Sequence, residues 1–495
     1  VKDLKWDKDR LYQLVRGKLG DYSFVVISNR EPYIHTMSGG KIVWNRPVSG
    51  LTEALDPVMR AAQGTWVATG MGDADKKVVD DHNRVAVPPD KPEYSLRRVW
   101  LTEEEIKGFY LGFANEALWP LCHVTFFTPP IFRETDWNTY KKVNQIFAEA
   151  VSQEVAGGKA MVLVQDYHFA LLSRLIKEQN PKITVGQFWH IPWPTHEIFR
   201  TCPWQEEILD GLLGNDLLGF HTQSYCDNLL ETAEHSLGAK IDREQSAVVH
   251  RGKTTLVQPF PISVDFDWLS READNEAVVR EMEKMSRQFN LKGKYVGVGM
   301  DRMDYTKGIP QRLQALEKFL ERFPDYRGKV VFIQAGMPSR TQIESYKDIG
   351  QEIEDLMKGI NDRYGTDSWQ PVIPMTKQLT PSALAALRRL ANFCVVSSLH
   401  DGMNLVAKEF VASRIDGDGV LILSQFTGAA AEMGEAILIN PFAIDEFARK
   451  IKEAIEMPEP ERRRRMKAMQ KTVASNNIYR WGGSMVSKLI SMAGV

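Results

Sequence analysis

The feature that most constrains this chain is a recurrence of short, continuous apolar runs. In the first half these are YSFVVISN (22–29), MVLVQD (161–166), TVGQFWH (184–190) and DLLGFH (216–221). In the second half they are YVGVGM (295–300), VVFIQAG (330–336), FCVVSS (393–398), GVLILS (419–424) and EAILIN (435–440). A strand with one wet face alternates apolar and polar residues. A run that is short and apolar throughout suits a parallel strand covered on both faces. Between the runs lie helical patterns. After Pro310, residues Leu313, Leu316, Leu320 and Phe323 share one helical face, and Pro324 follows its end. Strand, helix, strand is the βαβ unit, and 495 residues are too many for one ordinary domain. The expected architecture is α/β, with two Rossmann-like, doubly wound domains. The stretch LVQPFPISVDFDWLS (256–270) breaks the rhythm with two prolines and sets the expected boundary. This gives an N-terminal domain over 1–262, with a helical extension over 1–20, and a C-terminal domain over 263–495. The last helix has room to pack back on the N-terminal domain. No internal repeat or low-complexity tract is visible.

Composition excludes several function classes. The formal net charge of −2 provides no sequence-wide positive field for nucleic acid or an anionic membrane. No apolar stretch approaches the roughly 20 residues that span a bilayer. The charged N-terminal segment reads as helical and lacks the apolar core of a signal peptide. Cys122, Cys202, Cys226 and Cys394 are far apart and form no CxxC pair, which argues against zinc or a disulfide framework and for a reducing, cytoplasmic setting. A homo-oligomer is compatible with the sequence.

Some motifs are decoys. GVGMDR (297–302) begins like a dinucleotide fingerprint, but Arg302 stands where the third glycine belongs. DxD occurs at Asp7/Asp9, Asp73/Asp75, Asp265/Asp267 and Asp416/Asp418, so the pattern is cheap and implies no metal. HIPWPTHE places Pro192 and Pro194 between His190 and His196, which rules out a helical zinc motif. The run Arg462–Arg465 reads as a solvated helix face.

Two stretches carry chemistry. In SSLHDGMNLVAKEF (397–410) a strand ends, Gly402 permits a tight turn, and Asn404 is a natural cap for the helix that follows. Ligands of doubly wound sheets sit at the carboxyl ends of the strands. There, N–H groups around Met403, Asn404 and Leu405 would face anionic or hydroxyl oxygens. Asp401 could accept from a sugar hydroxyl, and Glu409 could chelate a ribose diol. A diphosphate then needs cations. DRMDYTKG (301–308) supplies Arg302 and Lys307 directly after a strand, a double-cation clamp able to stand in for a metal. Taken singly, the first stretch reads more readily as a capped βα turn with a surface Glu, and the second as a solvated surface loop.

SNR, ALWP, DYH, HIPWPTHEIF, DYTKG and DGMNLVAKE occur in this order from about residue 22 onward. Together they resemble the trehalose-6-phosphate synthases, retaining glycosyltransferases of the GT-B type. The resemblance implies two Rossmann-like domains facing across a cleft. It implies transfer of glucose from UDP-glucose to glucose 6-phosphate, giving α,α-trehalose 6-phosphate, with no metal and no cofactor. Small molecules are then the only partners expected, with neither nucleic acid nor membrane. Carried over by position, Arg302 and Lys307 bind the donor diphosphate, with Gly50 approaching from the N-terminal domain. Asp401 and the backbone of Gly402, Met403, Asn404 and Leu405 hold the donor sugar and phosphates. Glu409 holds the ribose, backbone at Leu379 reads the base, and His190 lies beside the donor sugar. The catalytic set is thus Arg302, Lys307, Asp401 and His190. Arg30, Tyr110, Trp119, Asp166 and Arg340 surround the phosphorylated acceptor.

Two departures bear on the acceptor. SNREPY (28–33) is similar to the sister glucosylglycerol-phosphate synthases, which use glycerol 3-phosphate. The loop GGKIVWNRPVSG (39–50) is longer than the glycine loop of simple bacterial members. The alternative reading is therefore glucosyl transfer to glycerol 3-phosphate. A glycoside hydrolase with two carboxylates would leave Arg302 and Lys307 unexplained. A non-catalytic sugar-phosphate binder would have no need of the intact Arg302, Lys307, Asp401 and Glu409 set.

Overall fold

The structure, a computed structural model, describes residues 5–47, 50–156 and 159–494. Residues 48–49 of the long 39–50 loop lie outside the described residues. The chain divides into two compact units, 1–262 with 478–495, and 263–477.

The first unit is built on a ten-stranded sheet. Its strands are β1 (Ser23–Arg30), β4 (Thr65–Thr69), β5 (Arg84–Val87), β6 (Tyr94–Val99), β7 (Ala160–Gln165), β8 (Thr184–Phe188), β9 (Leu217–Phe220), β10 (Lys240–Asp242), β11 (Ala247–His250) and β12 (Lys253–Pro259). A separate hairpin pairs β2 (Ile34–Ser38) with β3 (Lys41–Asn45). The order is β10-β11-β12-β9-β8-β7-β1-β4-β6-β5. The middle of the sheet is parallel, and antiparallel pairing is confined to its flanks. From β1 the chain winds outward through β4 and β6, then returns to β7 on the other side of β1. The switch point therefore lies between β1 and β7. β7 is buried along its whole length and β1 from Phe24 to Ser28, as their continuous apolar sequences require. The closing helix Ile478–Ala493 belongs to this unit. It seats Leu489 where a Cβ on Gly186 of β8 would stand, and its Gly483 makes room for Trp6.

The second unit has a six-stranded, wholly parallel sheet. Its strands are β13 (Tyr295–Met303), β14 (Val330–Pro338), β15 (Val372–Met375), β16 (Phe393–Val396), β17 (Val420–Ser424) and β18 (Ile437–Ile439). The order β15-β14-β13-β16-β17-β18 puts the switch point between β13 and β16. All the apolar runs read from the sequence are parallel strands of these two sheets. The helix Ile309–Arg322 buries Leu313, Leu316 and Leu320 as expected, together with Phe319. Phe323 ends the helix, half-buried, with its ring 5.6 Å from that of Phe319.

The glycines of GVGM have a packing role. A Cβ on Gly297 would stand 2.4 Å from the Phe393 ring, and one on Gly299 would stand 2.1 Å from Arg312 Nη1. They admit neighbouring side chains to the face of β13. Among the described residues no helix is long and apolar enough to cross a membrane.

Candidate functional site

The two motifs that carry chemistry flank the switch point of the second unit. β13 carries Arg302 as its penultimate residue and runs into 304–308, and β16 runs into 397–404. Ligands of doubly wound sheets bind at this position, because adjacent strands there diverge to opposite faces and leave a crevice. The two loops are bonded to each other. Ser397 Oγ donates to the Gly308 carbonyl at 2.9 Å, and Leu399 N–H donates to the Thr306 carbonyl at 2.8 Å. Gly308 adopts φ +61°, and a Cβ there would stand 2.1 Å from the Ser397 carbonyl oxygen. Only glycine meets both demands.

This junction brings Lys307 to Asp401. The Lys307 Nζ donates to Asp401 Oδ2 at 2.6 Å, and both side chains are 12% exposed. Ser398 Oγ and Asn404 Nδ2 each donate to the same oxygen at 3.1 Å. Asn404 also caps the helix Leu405–Ser413, its Oδ1 accepting from Ala407 N–H at 3.1 Å. The left-handed backbone of this turn falls on Asn404, at φ +79°, and not on Gly402, where a permissive residue was expected. Asparagine tolerates that region better than most side chains do. The turn is held from behind by the loop after β17. Gly428 N–H donates to the Asp401 carbonyl at 3.1 Å, and a Cβ on Gly428 would stand 2.1 Å from the Gly402 oxygen. Glu409 faces back along the same helix and forms an ion pair with Arg388. Arg388 belongs to the helix Pro381–Leu390, which starts two residues after the half-buried Leu379.

The cations are organised by an acid to which the sequence reading gave no role. Asp304 is fully buried, with Arg340 Nη1 at 3.7 Å and Arg302 Nη2 at 3.9 Å. Its own side chain accepts from the Thr306 N–H and hydroxyl, and the Tyr346 hydroxyl donates to it at 3.3 Å. Burial pushes this carboxyl up, but Arg340, Arg302 and Lys307 outweigh it and hold it below the ordinary value. One buried anion thus faces two guanidinium groups at the strand ends and feels the charge of Lys307. Arg302 stays 44% exposed, while Arg340 is nearly covered. The signal was present: an acid between Arg302 and Lys307 in a strand-end loop is placed to bind both.

In the first unit the other candidates gather at the β1/β7 switch point. Arg30 is the exposed last residue of β1, and Asp166 follows β7 directly. Asp166 holds φ +74° and accepts from the N–H groups of Tyr167 at 2.9 Å and His190 at 3.1 Å. His190, just past β8, has its Nε2 2.8 Å from Gln165 Oε1. Burial first, then His221 and His168, lower its pKa well below the usual histidine value, so the ring is neutral at pH 7. Tyr110 sits in a π-helical segment, Lys107–Leu118, and stacks on His168 with ring centroids 5.8 Å apart. Trp119 follows that segment, buried against His123 and Tyr167. Gly50 opens the helix Gly50–Ala62 of this unit. Of the five residues expected around the acceptor, four lie in this unit. Arg340 lies in the other, beside Asp304.

The REPY departure is now explicable in part. Glu31 is buried against Arg98, and the Tyr33 hydroxyl donates to Asp56 at 3.1 Å. Only Arg30 of that motif faces solvent, so Glu31 and Tyr33 act on the interior. The DxD matches are structural too. Asp7 and Asp265 cap helices, Asp73 and Asp75 accept from backbone N–H groups, and Asp416 and Asp418 pair with Arg414 and Arg462. The Arg462–Arg465 face is paired with Asp418, Glu459, Glu435 and Glu461.

The model of glycosyltransferase family 20 matches residues 22–491. The chain belongs to this family. This family-20 glycosyltransferase is 36% identical over 480 residues to the trehalose-6-phosphate synthase of Mycolicibacterium smegmatis, covering 95% of this chain and 93% of that one. It is 37% identical over 478 residues to the bifunctional trehalose-6-phosphate synthase/phosphatase of Thermoproteus tenax, covering 94% of this chain but only 63% of that longer protein. Among solved structures it is similar to the E. coli trehalose-6-phosphate protein bound with UDP-2-fluoro glucose (TM-score 0.85, 28% identity, 94% of this chain and 99% of that one). It is also similar to the UDP-forming α,α-trehalose-phosphate synthase of Burkholderia xenovorans in complex with glucose-6-phosphate (TM-score 0.82, 27% identity, 94% and 99%). The two-sheet, doubly wound fold and the glycosyltransferase class read from the sequence are both borne out.

Proposed function

We propose that this family-20 enzyme moves glucose from UDP-glucose to glucose 6-phosphate, forming α,α-trehalose 6-phosphate and UDP with retention at the anomeric carbon. The observation that carries this reading is the Lys307–Asp401 pair beside Arg302 at the β13/β16 switch point. It places a hydroxyl-binding carboxylate next to two cations and a capped helix start, which is the outline of a nucleotide-diphosphate sugar. Lys307 and Arg302 neutralise the leaving diphosphate, so no metal ion is needed. Glu409 and the backbone at Leu379 take the ribose and base. Arg30, Tyr110, Trp119 and Asp166, with Arg340, take the phosphorylated acceptor. The diphosphate departs on the face that the acceptor hydroxyl attacks, and the departing phosphate accepts the hydroxyl proton. The protein positions the reactants and stabilises charge. Phosphorylated sugars and four buried free cysteines both suit the cytoplasm.

The test pairs UDP-, ADP- and GDP-glucose with glucose 6-phosphate and glycerol 3-phosphate after exhaustive EDTA treatment, with products identified. Trehalose 6-phosphate as the main product, undiminished by EDTA, is expected. A tenfold or larger preference in kcat/KM for glycerol 3-phosphate, about 1.4 kcal/mol, would replace the acceptor. Activity restored only by added magnesium or manganese would end the metal-free mechanism.

A further inference from the structure

A buried charged cluster adjoins Arg30 in the first unit. Arg98 on β6 and the side chains of Glu31 and Asp75 are all 0% exposed. The Arg98 guanidinium joins three segments. Nε donates to Glu31 Oε2 at 2.7 Å, and Nη2 lies 2.7 Å from Asp75 Oδ1. Nη1 donates to the Asp75 carbonyl at 3.2 Å, and Nη2 to the Tyr33 carbonyl at 3.1 Å. Nη2 is also 2.8 Å from His35 Nδ1. The Met71 N–H stands 3.0 Å from both Glu31 Oε1 and Asp75 Oδ2, so the two carboxyl groups abut. Asp75 further accepts from the N–H groups of His35 at 2.8 Å and Gly72 at 2.6 Å.

This cluster grips the chain on the far side of Arg30. Glu31 is the next residue, and the Arg30 carbonyl itself accepts from Ser28 Oγ at 2.6 Å. Beyond Glu31, the Tyr33 carbonyl and the His35 N–H and ring are held, and these form the root of the β2–β3 hairpin. Arg30 alone is left exposed between two anchors. The charged and titratable groups facing one another are Glu31 after β1, His35 on β2, Asp75 on the loop after β4, and Arg98 on β6. A second set, Tyr33, Asp56, Arg60 and Tyr94, adjoins through Tyr33. One guanidinium cannot neutralise two abutting buried carboxylates. A proton shared between them removes the excess charge.

We propose that Arg98 is a positioning residue for the phosphorylated acceptor: with Glu31, Asp75 and His35 it fixes Arg30 and the root of the β2–β3 hairpin, and a proton shared by the two carboxyls keeps that anchor closed. The proposal rests on the acceptor role given to Arg30 under the proposed function. Burial, then the hydrogen bond with Asp75, raises the Glu31 carboxyl to about 8. Burial also pushes Asp75 up, but the Glu31 bond, the His35 and Gly72 amides and Arg98 outweigh it, so Asp75 stays ionised and Glu31 holds the proton. Burial and then Arg98 keep His35 neutral. A carboxyl raised in the folded state contributes fully below its ordinary range. That contribution falls as pH rises and is lost through about 8.

The experiment uses the full chain and the variants Glu31→Gln, Arg98→Met and Arg98→Lys. It reads kcat and KM for each substrate between about pH 6.5 and 9, and hydrogen exchange of the 31–45 amides corrected for intrinsic rates. In the parent, acceptor KM should rise about tenfold across the alkaline half while donor KM stays within about twofold. Glu31→Gln keeps the donor and acceptor of the shared bond without a titrating proton, so it should flatten that limb and the accompanying rise in exchange. Arg98→Met should raise acceptor KM about tenfold or more, with Arg98→Lys partly restoring it. A Glu31→Gln enzyme that keeps the parental alkaline limb, or variants that shift both substrates equally, would overturn the proposal. If the parent transfers to glycerol 3-phosphate instead, the acceptor assignment fails and the same comparison is made with that acceptor. If it transfers to neither, the exchange of 31–45 decides: pH-dependent opening absent from the parent, or retained in Glu31→Gln, rejects the anchor independently of turnover.

Discussion

Replacing Lys307 with methionine separates the ion pair that the structure shows from the catalytic role proposed for this residue. The ammonium donates to Asp401 at 2.6 Å with both side chains 12% exposed. Its loss strands a carboxylate that is nearly out of water. Removing one partner of a fully buried pair costs about 3–5 kcal/mol. Asp401 keeps the Ser398 and Asn404 donors and some solvent, and methionine preserves the packed stem, so about 2 kcal/mol is expected, the scale of one charge-assisted hydrogen bond. In a domain of this size that lowers Tm by about 4–8 °C. Catalysis should lose far more. A preorganised charge aimed at the leaving diphosphate contributes about 2.7–4 kcal/mol, so kcat should fall about 10²–10³-fold with donor KM little changed. Steady-state assays of UDP release, run well below the lowered Tm, separate the two effects. Lys307→Met, Asp401→Asn and the double variant form a cycle whose melts should show coupling of about 1–2 kcal/mol. A variant that melts early yet keeps kcat within about threefold would refute the reasoning, because Lys307 would then serve only to hold the turn.

Two further outcomes follow from the same geometry. Arg340→Ala should weaken use of glucose 6-phosphate far more than donor binding, read as acceptor against donor KM; because Arg340 also faces buried Asp304, its melting temperature should fall as well, and an equal change in both KM values would remove it from the acceptor set. Gly308→Ala should destabilise the 263–477 unit by more than about 1 kcal/mol, since the residue is left-handed and its Cβ would meet the Ser397 carbonyl at 2.1 Å; an unchanged denaturation midpoint would show that the two loops can part freely.

The short apolar runs by themselves determined β1, β7, β8, β9, β13, β14, β16, β17 and β18, because a strand covered on both faces has no polar alternation to hide; the parallel strands β4, β6, β12 and β15 were not among those runs. The βαβ rhythm then determined the doubly wound class. Local motifs such as DYTKG and DGMNLVAKE marked residues of the candidate site, since a glycine turn, a capping asparagine and charges at a strand end work over a few neighbouring residues. What the tertiary structure decided depends on partners distant in sequence. It set the strand order, and so placed Arg302 and Asp401 on either side of one switch point and Arg30 and Asp166 on either side of another. It joined Lys307 to Asp401 across 94 residues. It turned Glu31 and Tyr33 of REPY inward, and it made Gly297 and Gly299 spacers for Phe393 and Arg312. It gathered Arg98, Glu31, Asp75 and His35 from separate segments. None of these carries a local signature. A buried charge looks like a surface charge in sequence, and only the fold decides which side of a strand meets water and what stands opposite.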